Sequence, residues 1–377
     1  MALIAIPISL QQLITVGINL MDTIMLSSMG DAQLSASSLA GQFITLFQIC
    51  CMGIGMGANV LTSRYWGMQD HKSLKQTITI MLRVAFVFIS IFTVVTILFP
   101  EMIMRLYTNE SEIIHYGILY LKWMIPTYIC MGLSLTCTIV LRSVGQVKIP
   151  LTCSIIAFFV NIFFNWVFIF GELGMPRMEI EGAALGTVIA RVFEIAFICG
   201  YFFFVDQKMK YRIKDITMKC KGLVNEYFRI SIPVLVSDAL LALGNNAIAM
   251  VMGRVGSAFV AANSVTTVVQ QLSQVLTTGI SNASGIITGH TMGQGDYEKA
   301  QKQGYTFLIL GFLIGLVAAI FIVLIKNPVI NYYQISSEAK SIAHELRHVY
   351  QIYKAADPEN ERHERWHKEL FNHFTPI

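Results

Sequence analysis

Nine stretches of mostly apolar residues, each about 20 residues or longer, divide the chain as far as residue 326. They lie near 4–28, 36–62, 78–100, 113–141, 149–171, 182–205, 229–252, 260–288 and 304–326. A helix needs roughly 20 such residues to cross the hydrocarbon core of a bilayer. Inside that core a helix leaves no backbone donor or acceptor without a partner. The pattern therefore predicts an all-α polytopic membrane protein. Composition agrees. Charged residues make up 13% of the 377 and hydrophobic residues 55%, whereas a soluble domain carries about 25% charged residues. Such hydrophobicity also excludes a disordered chain. The net charge of +4 is spread along the sequence, which argues against a nucleic-acid binder, since that needs a concentrated basic face.

The connecting loops alternate in charge. Those after spans two, four, six and eight carry Arg64, Lys72 and Lys75; Arg142 and Lys148; Lys208, Lys210, Arg212 and Lys214; and Lys299 and Lys302. The segment 28–36 has no basic residue, and 101–112 and 172–181 have one each, Arg105 and Arg177. The excess of Lys and Arg on cytoplasmic loops places the N-terminus and the even loops inside. The start, MALIAIPISLQQ, lacks a basic leader region and reads as the beginning of span one. Of the seven cysteines, six lie in apolar runs and none has metal-ligand spacing, so they read as buried or lipid-facing thiols.

Sliding the chain against itself gives one ungapped match, at an offset of 226 residues. It pairs Pro7 with Pro233, Asn19 with Asn245, Gly30 with Gly256, Gln48 with Gln274, Gly53 with Gly279, Gly67 with Gly293 and Asp70 with Asp296. Hydrophobicity alone would align Leu with Ile, not these residue types. The offset spans six crossings, so both copies enter the membrane in the same direction. That is a parallel repeat about an axis along the membrane normal. It divides the chain into a six-helix lobe over 1–222 and a three-helix partial lobe over 223–337. Two full copies would need roughly 450 residues, so the second lobe is expected to lack three spans. The tail, 338–377, holds five of the eight His and 13 charged residues. It contains HELRH at 344–348 and HERWH at 363–367, both of the zinc-binding H-E-x-x-H form. With so many His in so short a polar segment, a solvated helix is the simpler reading. A membrane-tethered zinc peptidase is the alternative from another class.

Ionisable and amide side chains inside spans are costly and point to function. Asp22 stands in span one, within NLMDTIMLSS. Its carboxylate is suited to exchanging a proton or a sodium ion as a cavity opens to either side. Asn161 and Asn165 are four apart in span five, hence on one helix face. Their amides suit either a carboxylate or a hard cation. Asp238 in span seven, with Asn245 and Asn246, gives the second lobe a polar stripe, and Asp238 and Asn245, seven apart, share a face. Gln42 and Gln48 in span two, with Gln270, Gln271 and Gln274 in span eight, are expected to line the cleft between lobes. Arg191 and Glu194 read as an i, i+3 structural pair and Lys122 as a snorkelling side chain.

Several motifs together carry a resemblance. They are Pro7 followed by MDT at 21–23, GMGANVLTSRYWG at 55–67, LRSVGQVKIP at 141–150, NIFFNWVFIFG at 161–171 and IEGAALGTVIAR at 180–191. On these the chain resembles the multidrug and toxic compound extrusion (MATE) family over about residues 1–337. The resemblance implies two helical lobes around a central cavity. It also implies a transporter rather than an enzyme, exporting drugs or organic cations across the plasma membrane as sodium or protons enter. The family's span-one aspartate falls on Asp22, and its span-five pair on Asn161 and Asn165. At the span-seven glutamate position this chain has Leu241. Expected partners are small organic or cationic substrates and the bilayer, with no nucleic acid, no cofactor beyond the transported ion, and a monomeric state. A lipid-linked oligosaccharide flippase of the same superfamily is the rival within transport, though its cavity would need more basic residues than these spans hold.

Overall fold

Apolar runs separated by short polar breaks give ten α-helices and no strand among the described residues. The structure is a computed structural model that describes residues 2–220, 222–255 and 257–332. The helices are α1 (Ala2–Ser27), α2 (Asp31–Gly67), α3 (His71–Leu98), α4 (Pro100–Tyr107) and α5 (Ser111–Ser143). They continue with α6 (Lys148–Phe170), α7 (Glu179–Gly200), α8 (Leu223–Val255), α9 (Ser257–Gly293) and α10 (Tyr297–Tyr332). Each of the nine predicted spans falls on one helix. Eight helices among the described residues are long and apolar enough to cross a bilayer, and α9 covers the predicted eighth span. Several helices outrun their apolar runs by a turn or more. Asp70, for example, caps α3 by accepting from the backbone N–H of Lys72 and Ser73, so α3 starts seven residues before its apolar stretch. The zinc-like tail sequences lie outside the described residues.

One element departs from the sequence reading. The segment 101–112, expected as a loop, contains α4. Pro100 opens this eight-residue helix at its first position, where a missing N–H costs nothing. Ile103, Met104 and Tyr107 are buried, while Glu101 and Arg105 pair at 2.7 Å on the exposed side. Eight residues are too few to span, and their charges disguise the amphipathic face.

The 226-residue offset reappears as reciprocal contacts. α2 packs on α8 and α1 packs on α9. A β-carbon on Gly53 would stand 3.0 Å from the α-carbon of Leu235, and one on Gly279 would stand 2.9 Å from the α-carbon of Ser9. Gly53 and Gly279 are repeat-mates, and so are Ser9 and Leu235, so these are one contact made twice. Gly67 lies against the backbone of His290, and Gly293 against that of Arg64, which is the mate of His290. Where α2 crosses α9, residues face their own mates: Asn59 meets Gly285, and Ser63 meets Gly289. Only a two-fold relation produces such self-complementary pairing. The lobes therefore meet along this axis, and they are closed against each other at the end that bears Arg64 and His290.

The segment between the lobes is fastened to the first. Lys75 Nζ reaches Asp215 Oδ2 at 2.8 Å and the carbonyl of Lys210 at 2.7 Å. Arg83 donates to the carbonyls of Ile216 and Met218. Asp206 is fully buried, accepting from Gln146 and from the backbone N–H of Met209 and Lys210. Partial burial would push the Asp215 carboxyl up, but the Lys75 and Arg212 donors outweigh it and hold the group below the ordinary range. A lowered acid contributes its stability above the unfolded value of about 3.9 and loses it as pH falls further. The strap thus stays fastened at neutral pH. Lys75→Met should raise amide exchange across 206–220 by about tenfold, since it leaves a half-buried carboxylate short of a donor. Unchanged exchange would assign the strap's order to its other bonds.

Candidate functional site

Close packing of α6 against both α1 and α7 builds the polar centre of the first lobe. Gly17 of α1 lets the Phe158 ring of α6 approach to within 3.2 Å of where a β-carbon would be. On α7, Gly182 meets the backbone at Phe168, and Gly186 meets the backbone N and side chain of Asn165. Side chains at these glycines would drive α6 away and move Asn165 with it.

With the helices this close, the amides of α6 sit between a carboxylate and a hydroxyl. Asn165 Nδ2 donates to Asp22 Oδ1 by a short hydrogen bond, and also to Asn161 Oδ1 at 3.3 Å. Asn161 Nδ2 in turn donates to Thr187 Oγ1 of α7 at 3.4 Å. Asn161 and Asn165 are 1% and 0% exposed. Asn165 Oδ1 is buried with no hydrogen-bond partner among the described residues. Such orphaned acceptors are costly and rare. Two carboxylate oxygens, two amide oxygens and a hydroxyl make an oxygen set of the kind hard cations take. The structure thus brings together the three residues singled out as cation ligands. Thr187 joins them, and its only sequence signal was its place in the GAALGTVIAR run.

Below this cluster lies a cavity of about 80 Å³, lined by α1, α2, α5, α6 and α7. That is room for a few waters at 10–15 Å³ each. Its walls include Gln12, Gln48, Ser134, Asn161, Arg142 and Glu194. Arg142 Nε and Nη2 both donate to Gln11 Oε1, at 3.2 and 2.6 Å. Arg191 and Glu194 pair at 2.6 Å, as their i, i+3 spacing suggested, with only 22% and 14% of their side chains exposed. Lys122 is exposed, as snorkelling requires.

The remaining candidates scatter. Gln48 lines the cavity inside the first lobe, while Gln42 is partly buried on α2. Gln271 of α9 accepts from Asn19 of α1 at 3.2 Å, across the lobe boundary. Asp238 is half-buried against Gly53 of α2. Asn245 is exposed, whereas its neighbour Asn246 is buried, donates to the carbonyl of Ala242 and takes a short hydrogen bond from Tyr107 of α4. The expected Asp238–Asn245 stripe is thus divided between two environments. The Tyr107–Asn246 contact had no signal in the sequence, because α4 itself had none. The side chains of Gln270 and Gln274 lie outside what the structure describes. All seven cysteines are free; six are buried and Cys199 is partly so.

Comparison with known proteins gives a consistent result. The MatE family model matches residues 7–167 and again 233–353, so the two matches start at the repeat-mates Pro7 and Pro233. The chain is 24% identical over 322 residues to "Probable multidrug resistance protein YoeA" of Bacillus subtilis, covering 84% of this chain and 68% of that protein. It is 26% identical over 345 residues to "Probable multidrug resistance protein NorM" of Thermotoga maritima, covering 88% and 71%. Among solved structures it is similar to a MOP superfamily transporter from Pyrococcus furiosus. The TM-score is 0.79 at 20% identity, over 92% of this chain and 76% of that one. An outward-facing multidrug resistance MATE family transporter scores 0.78, also at 20% identity and with the same coverage.

Proposed function

The chain belongs to the MatE family, a family of transporters, and from that premise we propose that it is a cation-coupled antiporter exporting small organic or cationic compounds. The relatives' description as multidrug resistance proteins supports the substrate class. The observation that carries the coupling is the Asp22–Asn165–Asn161–Thr187 ladder, in which a partly buried carboxylate meets buried amides. A carboxylate so placed accepts a sodium ion or a proton and becomes neutral. It gives that ion up when the surroundings change. Only a difference in ion affinity between two states lets an ion gradient move the equilibrium between them.

The motion is a rocking of one lobe on the other about the α2–α9 crossing. With the even loops cytoplasmic, the contacts of Gly67 with His290 and of Gly293 with Arg64 form the inner gate of the state seen here. Substrate enters the cleft between lobes, where Asp238, against Gly53, and Gln271, bonded to Asn19, offer polar contacts. We place the protein in the plasma membrane as a monomer, with its N-terminus inside.

The test is export of ethidium from sealed vesicles holding the purified full chain. An imposed inward gradient of sodium or of protons should drive export several-fold above vesicles at equilibrium. Export that ignores both gradients would overturn the antiport reading.

A further inference from the structure

Three charges lie near one another inside the first lobe: Asp22 on α1, and Arg191 and Glu194 on α7. Arg191 is bonded to Glu194 at 2.6 Å, yet it also lies within electrostatic reach of Asp22. No ion pair joins Arg191 to Asp22 in this structure. The two are separated by the amide ladder, because Arg191 and Asn161 line the same cavity and Asn161 leads through Asn165 to Asp22. The Tyr120 hydroxyl sits in the field of both Asp22 and Arg191. Around Glu194 lie the thiols of Cys130, Cys153 and Cys199, and Arg142 lines the same cavity. Arg142 is held on Gln11, eleven residues before Asp22 and so about 16 Å away along α1. That is too far to neutralise Asp22.

We propose that Arg191 is the built-in counter-ion of Asp22, shared between Asp22 and Glu194 and competing with the coupling cation for the Asp22 carboxylate. Two carboxylates and one guanidinium leave the group one positive charge short. A bound cation supplies it, and Arg191 then belongs to Glu194. When the cation leaves, the Arg191 side chain turns toward Asp22 and limits the cost of a bare, partly buried carboxylate. Glu194 sets how strongly it is held back. Arg191 is thus a positioning residue that keeps cation affinity low enough for release, as an antiporter requires. This rests on Asp22 being the coupling carboxylate.

The experiment follows ethidium export from vesicles of the full chain against the concentration of whichever cation, sodium or proton, drives the unaltered protein. Arg191→Gln removes the competitor and should lower the half-saturating concentration about tenfold, the order of effect of one nearby charge at an effective dielectric near 20. Glu194→Gln frees Arg191 for Asp22 and should raise it about tenfold. The double variant, which removes the competing cation and the carboxylate that holds it together, should fall between the singles, and Arg191→Lys should stay near the unaltered value. Packing damage would weaken both singles alike. Singles shifting in the same direction, or neither shifting, would overturn the counter-ion role. Asp22→Asn in the same vesicles separates the two ideas. If it kept coupling, the assignment of Asp22 would fall first. If it lost coupling while the Arg191 and Glu194 variants stayed unshifted, only the counter-ion role would fall.

Discussion

Asp22→Asn is expected to reduce gradient-driven export to the level of vesicles without protein, a loss of at least ~100-fold. The carboxamide occupies the same volume and can still accept from Asn165 through its oxygen, as Asp22 Oδ1 does now. The local fold is therefore kept, and thermal unfolding of the purified variant should be little changed. The charge is not kept. At an effective dielectric of about 20, a cation about 2.5 Å from a carboxylate oxygen gains roughly 7 kcal/mol of Coulomb attraction. Losing even two-fifths of that lowers occupancy about 100-fold. The substitution also defeats proton coupling, because a carboxamide takes up no proton near neutral pH. One change thus tests the site whichever ion is used. Coupled export at the normal rate would end the role of Asp22.

The second large effect concerns the place where the lobes touch. Gly67→Val should cut transport below about a tenth and hold the gate at Arg64 and His290 apart. A β-carbon there would lie 3.0 Å from the α-carbon of His290 and nearer still to its carbonyl oxygen. Backbone cannot step aside as a flexible side chain can. Overpacking of this kind costs about 1–3 kcal/mol, and that cost falls only on the state in which the gate is shut. Populations then shift by roughly 5- to 150-fold toward the open gate. Spin labels at Lys72→Cys and Lys299→Cys, on the exposed starts of α3 and α10, should report a longer mean distance. Gly293→Val should act in the same way, because it is the mate of Gly67 and meets Arg64 as Gly67 meets His290. An unchanged distance in both would mean that the crossing is not the gate.

Much of this architecture was legible before any helix was placed. Bilayer thickness fixes span length, so apolar runs alone marked nine helices. α4 escaped because eight residues with Glu101 and Arg105 look like a loop until Ile103, Met104 and Tyr107 are seen to pack inward. At the site, the in-span rule found Asp22, Asn161 and Asn165, since lipid penalises such groups wherever they point. It overlooked Thr187, whose hydroxyl is common in helices. By the same rule Arg191 and Glu194 read as mainly structural, because their i, i+3 spacing lets each neutralise the other. The Asp238–Asn245 face was a fair inference from helical period, but period does not say which neighbour covers which face.

That limit is general to this chain. Sequence determined whatever depends on one helix or on one copy against the other: the spans, the charge alternation, the shared face of Asn161 and Asn165, and the 226-residue offset with its matching glycines. These follow from rise per residue, 3.6-residue period and the cost of polar groups in lipid, all of which are local or additive. The tertiary structure alone decided which faces meet. Asp22 and Asn165 are 143 positions apart, and they touch because α6 is drawn against α1 and α7 at glycines where no side chain intervenes. The rotation and crossing of packed helices come from many shape contacts at once, and no single segment carries that information.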